Sequence, residues 1–247
     1  MLLAVAVGCS TVPKAPPRLP GGGAPGAPGE AAAAPPPWQM PAAAYGSQIL
    51  YRVAVSGAEG EGSLKLTLRL ASPERYQAQA VDPLGRAIWG LDVDGGHGLW
   101  LDHRAHAYCR LAGALDLAFL PLGPLSLSAL PPLLLGRLPV PPADPASVVR
   151  AGAGSGDGGA STTVAYRDAA GRGWSAVVQG GQPVSWGLWQ EPATAPILSW
   201  ASSGSWAVLS DRRKGVQVRW REALREPVGQ LTPMRPRSDY REGSCAR

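Results

Sequence analysis

Ser47 to Leu111 reads SQILYRVAVSGAEGEGSLKLTLRLASPERYQAQAVDPLGRAIWGLDVDGGHGLWLDHRAHAYCRL, and its periodicity decides the fold class. Leu64, Leu66, Leu68 and Leu70 alternate with Lys65, Thr67 and Arg69, the two-residue period of a strand with one oily and one wet face. Turn-forming residues at Gly60 to Gly62, Ser72-Pro73, Asp82-Pro83-Leu84-Gly85 and Asp94-Gly95-Gly96 cut the stretch into short strands joined as hairpins. A meander of this length curls.

The C-terminal half repeats the pattern. Ser161 to Arg167, Gly173 to Gln179, Pro183 to Gln190, Ile197 to Ala201, Ser205 to Ser210 and Gly215 to Trp220 read as strands with Gly or Pro at the joints. Val184, Trp186 and Leu188 share one face, as do Val216, Val218 and Trp220. About eleven strands exceed what a flat open sheet tolerates. The expectation is a mainly β fold with a few short helices, an open antiparallel barrel. Ala151 to Gly159, rich in Gly, reads as a linker. With nine Trp and a single Phe, Leu, Val and Trp must supply the core.

Between the halves lies Ala112 to Val140, AGALDLAFLPLGPLSLSALPPLLLGRLPV, with eleven Leu and prolines that forbid one long helix. Two short helices fit, over Ala114 to Leu120 and from Ser126 or Ser128 into Leu135, with Ser as cap and the Pro pair in the first turn. The segment is too broken to span a bilayer. It either plugs the barrel mouth as core or forms a lid over an apolar cavity.

The N-terminal run MLLAVAVG ends on small residues before Cys9, and resembles the end of a bacterial lipoprotein signal in which the cysteine receives the lipid. Residues 10–44, rich in Pro, Gly and Ala, then read as a disordered spacer holding the domain at 45–222 off a membrane. Residues 223–247 form a basic, solvated tail that suits anionic headgroups. The net charge of +5 is spread along the chain, and no zinc-finger, helix-turn-helix or RNP pattern occurs; no nucleic acid partner is expected. Cys109 and Cys245 could pair in an oxidising compartment or stay free.

No nucleophile elbow, P-loop or His-Glu-x-x-His string occurs, so catalysis is not expected. His103-x-x-His106 lies on a predicted hairpin, where residues three apart face opposite ways; neither metal nor other cofactor is expected.

Pro73-Glu74-Arg75-Tyr76, Asp82-Pro83-Leu84-Gly85-Arg86, the apolar strand Ala87 to Val93, Gly98-Leu99-Trp100-Leu101 and the later Leu130-Pro131-Pro132-Leu133-Leu134-Leu135-Gly136-Arg137-Leu138-Pro139 together resemble the LolA/LolB-type periplasmic lipoprotein carriers, over roughly Tyr51 to Trp220. The resemblance implies an open barrel round a hydrophobic cavity, with the insert 112–140 as helical lid. It also implies a monomer anchored to the periplasmic face of the outer membrane, which takes acyl chains of lipoproteins or lipids from a LolA-like donor. On that reading Leu66, Leu68, Trp89, Leu91, Leu99, Leu101, Trp186 and Leu188 line the cavity and Leu133, Leu134 and Leu135 the lid. Leu84 is the candidate for the exposed apolar loop that delivers cargo to the membrane. A filled barrel that recruits a protein partner for envelope assembly is the alternative.

Overall fold

The computed structural model describes residues 35–58, 60–115, 125–156, 159–189 and 195–243. Six strands form the first meander: β1 (Ser47–Gly57), β2 (Gly60–Leu70), β3 (Arg75–Val81), β4 (Ala87–Asp94), β5 (His97–Asp102) and β6 (Ala107–Ala112). Within the insert lie β7 (Ala114–Leu115) and β8 (Leu125–Ser126), paired only with each other. A short helix, α1 (Leu130–Leu134), follows them. The second meander holds β9 (Val149–Gly156), β10 (Gly159–Arg167), β11 (Gly173–Gln179), β12 (Gln182–Trp189), β13 (Leu198–Ser203), β14 (Trp206–Asp211) and β15 (Val216–Pro227), and β16 (Arg241–Glu242) ends the described chain.

The strand order β16-β6-β5-β4-β3-β2-β1-β15-β14-β13-β12-β11-β10-β9 makes one 14-stranded sheet that does not close on itself. The two meanders meet at β1 and β15, where Ser47 lies opposite Pro227 and Ser56 opposite Gln217. Every pair is antiparallel except β16 on β6. The count exceeds the eleven expected partly because the Gly-rich segment read as a linker is β9, paired to β10. Ladder hydrogen bonds need only backbone.

The curl gives the sheet an inner and an outer face. Ile49, Tyr51, Val53, Leu66, Leu68, Leu70, Tyr76, Ala78, Leu91 and Val93 from the first meander join Trp174, Trp186, Leu188, Trp200, Leu209, Val218 and Trp220 from the second in one buried cluster. The alternation read from Leu64 to Leu70 therefore sets the inner face, as does that of Val216 to Trp220.

The insert enters this concavity. Ala114 and Leu115, expected to start a helix, are strand, and the rest of that expected helix, 116–120, lies outside the described residues. From Leu127 the chain makes a 3-10 turn capped by Ser126, whose Oγ accepts from the Ser128 N–H, and continues into α1 with prolines at its first positions. The helix stops at Gly136 (φ +73°), where the Gly136 N–H donates to Leu133 O and the Arg137 N–H to Pro132 O, a Schellman stop whose left-handed residue favours glycine. Leu127, Leu130, Leu133 and Leu138 are all at most 1% exposed and belong to the main core.

Residues at both ends pack more tightly than a tether and a solvated tail would. Trp38 meets Tyr166 edge to face at 5.3 Å, and Pro37 O accepts from Leu138 N. Beyond Pro227 the chain straps diagonally over the outer face. Thr232 O accepts from Gln77 Nε2, the Met234 N–H donates to Asp92 Oδ2, and Tyr240 hydrogen-bonds His103 Nδ1. Asp92 also holds Arg75 in an ion pair, so the strap covers a buried charge pair. His106 bonds Asp239, and β16 adds to the β6 edge. Cys109 is disulfide-bonded; Cys9 and Cys245 lie outside the described residues.

Candidate functional site

Two features outside ordinary packing stand out, the interior beneath the insert and the β3–β4 hairpin. Trp89, Trp186, Leu66, Leu68, Leu91 and Leu188 all sit on the inner face, buried in the core cluster. Leu133 and Leu134 are buried there too, and Leu135 packs against them partly exposed. Leu99 and Leu101 do not line the interior. The β4–β5 register pairs Leu99 with Asp92 and Leu101 with Gly90, on the outer face, where Leu101 lies beneath Met234 of the strap. Trp100, one residue off, takes the inner position and stacks on Trp89 at 4.8 Å. His97 to Asp102 carries apolar residues on both faces, so its pattern does not fix which side is in.

The interior is built from aromatic planes. Trp174, Trp186 and Trp200 follow one another at 5.8 and 6.0 Å, the last pair nearly parallel at 10°. Trp200 abuts Gly136 of the insert so closely that a Cβ there would lie 2.6 Å from the indole Cζ2. Among the described residues four side-chain hydrogen bonds tie the insert to the rest of the barrel: Trp220 Nε1 donates to Leu134 O at 2.9 Å, Tyr76 Oη to Leu127 O at 2.6 Å, Arg137 Nη1 to Gly181 O at 3.2 Å, and Tyr166 Oη to Val140 O at 2.5 Å. Each satisfies a backbone carbonyl that burial would otherwise strand.

Not every buried polar group is satisfied. Among the described residues the Tyr51 hydroxyl, the Trp186 and Trp200 indole N–H groups, Arg137 Nη2 and Asp211 Oδ2 are buried without a partner. Four of these five are donors. Burial pushes the Arg137 guanidinium below its usual range, since its charge gains no carboxylate in return. A natural core rarely leaves several donors unpaired together, because each forfeits about 1–3 kcal/mol.

The β3–β4 hairpin carries Leu84, 80% exposed. Its turn is a tight device. Asp82 N–H donates to Arg86 O and Gly85 N–H to Asp82 O, while the Asp82 carboxylate accepts from the Arg86 N–H and Nε. The backbone N–H of Arg86 and its guanidinium, set against a smaller effect of burial, hold the Asp82 carboxyl below the ordinary range. Gly85 supplies φ +85°.

The same turn recurs at Asp168-Ala169-Ala170-Gly171-Arg172 between β10 and β11. There Asp168 N–H donates to Arg172 O, Gly171 N–H to Asp168 O, and Arg172 N–H and Nε to the Asp168 carboxylate. Burial opposes ionisation of Asp168, but the Trp174 indole N–H and the two Arg172 donors outweigh it and lower its pKa. The position of Leu84 is occupied there by Ala170. The turn therefore has no structural need of a leucine, and the Leu84 side chain is surplus to the fold. The string Asp-x-x-Gly-Arg, present twice, was the sequence signal for this device.

No family model and no curated protein matches the sequence. Similarity appears in three dimensions. The chain matches a putative outer membrane lipoprotein-sorting protein domain from Vibrio parahaemolyticus with TM-score 0.51 at 6% identity, over 75% of this chain and 86% of that one. It matches a LolA superfamily protein from Nitrosomonas europaea with TM-score 0.50 at 8% identity, over 76% and 88%. A DUF1329 family protein from Desulfovibrio piger matches with TM-score 0.52 at 10% identity, over 75% and 87%. At such identities the likeness is one of fold, an open antiparallel barrel of the LolA kind.

Proposed function

We propose that this protein is an acyl-chain carrier of the cell envelope, anchored through Cys9 to the periplasmic face of the outer membrane, and that it works by binding without catalysis. The observation that carries the proposal is the interior, where Trp and Leu side chains surround indole and hydroxyl donors that lack acceptors. A saturated chain gains about 0.8 kcal/mol for each methylene taken from water, and an ester or amide carbonyl at its head would supply the acceptors that Tyr51, Trp186 and Trp200 lack. The guest enters where Leu127, Leu130, Leu133 and Leu134 now sit. Acyl chain replaces leucine side chains of similar chemistry, and the insert swings out on breaking the side-chain hydrogen bonds that hold it. Because little apolar area is lost in the exchange, net affinity stays modest and release to a membrane remains possible.

Leu84 supplies the outlet. An apolar side chain held at the tip of a rigid, charge-clamped hairpin can enter the acyl layer of a bilayer and lower the barrier to transfer. A LolA-like periplasmic donor is the natural upstream partner on this reading, and the fold likeness to a protein described as lipoprotein-sorting supports it.

The dense packing of the insert favours a second reading, an assembly lipoprotein with a permanently filled barrel. One experiment separates the two. The chain carrying Cys9→Ala, purified without detergent, is weighed by native mass spectrometry before and after incubation with a diacyl phospholipid and an acylated peptide. A bound acyl species at unit stoichiometry supports the carrier. A mass that stays that of the bare chain after both additions rejects it in favour of the filled barrel.

A further inference from the structure

The outer face at the seam between the meanders holds a row of cations for which the fold has no use. Across the seam Arg52 of β1 lies directly opposite Arg221 of β15 on one side and Lys65 of β2 on the other. At about 4.8 Å per strand the three charges lie within roughly 10 Å, close to the screening length of physiological salt. Like charges directly opposite one another destabilise a sheet. None of Arg52, Lys65, Arg219 and Arg221 is ion-paired among the described residues. The next strand on the β15 side brings Trp206, whose ring takes the guanidinium of Arg221 at 4.9 Å and that of Arg219 at 5.4 Å.

Register carries the row further. Lys65 pairs with Val81, the last residue of β3, and the next residues form the hairpin that presents Leu84. One step along the strands on the same face, Leu50 pairs with Leu224, which is 51% exposed. The strap, which contacts Gln77, Gly90 and Asp92, crosses the other part of this face.

We infer that this row is a docking surface for an anionic bilayer: Arg52, Lys65, Arg219 and Arg221 meet lipid phosphates while Trp206, Leu224 and Leu84 enter the interfacial layer. The mixture of exposed cations with Trp and Leu on one face is the composition that interfacial binding selects. A nucleic acid would need the aromatic face for stacking, and two guanidinium groups already cover Trp206. An acidic protein surface would answer the charges but leave Leu84 in water. The docking would set the molecule's orientation, with the β1–β15 seam flat on the headgroups and the Leu84 hairpin at the end of the row. The inference shares with the proposed function its placement at a membrane and the Leu84 hairpin, but the assay contains no acyl cargo, so failure of docking and failure of cargo binding read out separately.

The test uses the full chain with Cys9→Ala, so that no anchor contributes, floated with vesicles of phosphatidylcholine alone or mixed with phosphatidylglycerol. The expected result is flotation with the mixed vesicles only, reversed by high salt. Arg52→Gln/Lys65→Gln/Arg221→Gln should bind about fivefold more weakly per charge removed, on the order of a hundredfold in all. Its thermal midpoint should stay level or rise, because a repulsive row has been neutralised. Arg104→Gln/Arg150→Gln/Arg212→Gln removes the same charge from exposed positions outside the row and should keep most of the affinity. Equal binding to both vesicle types, no flotation of the parent chain, a row variant that binds like the parent, or a control that loses as much as the row variant would each overturn the inference.

Discussion

Replacing Gly136 with alanine asks whether the insert is seated in the barrel in solution. Two costs are readable from the structure. Gly136 has φ +73°, which costs a residue with a Cβ about 1–2 kcal/mol. The new Cβ would also stand 2.6 Å from Trp200 Cζ2 and 2.9 Å from Cη2, and forcing a methyl group into a packed core costs about 1–3 kcal/mol. Together they predict a loss of roughly 2–5 kcal/mol, a fall of about 4–20 °C in thermal midpoint at about 2–4 °C per kcal/mol for a domain of this size. Gly180→Ala is the control. Its φ is +54° with open space around it, so only the backbone cost applies, a few degrees. Differential scanning calorimetry of both variants measures the difference. Adding Trp200→Phe, which removes the clashing ring, should recover part of the loss in the Gly136 variant and give a coupling of about 1–3 kcal/mol in the double-mutant cycle. Equal falls for Gly136→Ala and Gly180→Ala would refute the reasoning, because they would mean that α1 does not rest against Trp200 in the populated state.

Leu84→Ala should change stability by less than about 0.5 kcal/mol, as the Ala170 turn already shows, yet slow acyl transfer to vesicles; unchanged transfer kinetics would remove Leu84 from the delivery step. Asp82 and Asp168 have folded pKa values below their unfolded ones, so their stabilisation is complete above the unfolded value of about 4 and disappears as pH falls through the folded value. Denaturant titrations at successive pH values should show that acid loss, and Asp168→Asn should flatten it; an unaltered acid limb in that variant would contradict the assignment. Peptide mapping without reductant should recover Cys109 linked to Cys245, whereas a link from Cys109 to Cys9 would also rule out acylation at Cys9.

The elements that could be read from the sequence are those whose side chains alternate cleanly. Leu64 to Leu70, Trp186 to Leu188 and Val216 to Trp220 announce both strand and face, and the Gly and Asp clusters mark the hairpins, whereas Val184 falls at a register shift against Val177 and Val178 and stays out of the core. Where both faces are covered, alternation vanishes: His97 to Asp102 lies between the core and the strap, which is why Leu99 and Leu101 were assigned to the interior and lie outside it. The strand β9 escaped because Ala and Gly carry no pattern, although their backbone pairs as well as any. The strap rests on single bonds between distant residues, such as Gln77 to Thr232 and Asp92 to Met234, which no local window contains. The interior walls at Leu66, Leu68, Trp89, Leu91, Trp186 and Leu188 were legible as apolar positions, but the unpartnered donors of Tyr51, Trp186 and Trp200 appear only when neighbours are known.

The seam between β1 and β15 also has a kinetic meaning. Hairpins within each meander close over short loops and can form early, but β1 finds its second partner only when the chain beyond Val216 is available, and joining strands so far apart in sequence is slow. During synthesis from the N-terminus, the first meander must therefore wait with the β1 edge bare and its leucines uncovered. An unpaired strand edge invites pairing with another chain. The cationic residues Arg52 on β1 and Arg221 on β15 repel like copies of the same edge, so the charges that meet at the finished seam also guard the unfinished one.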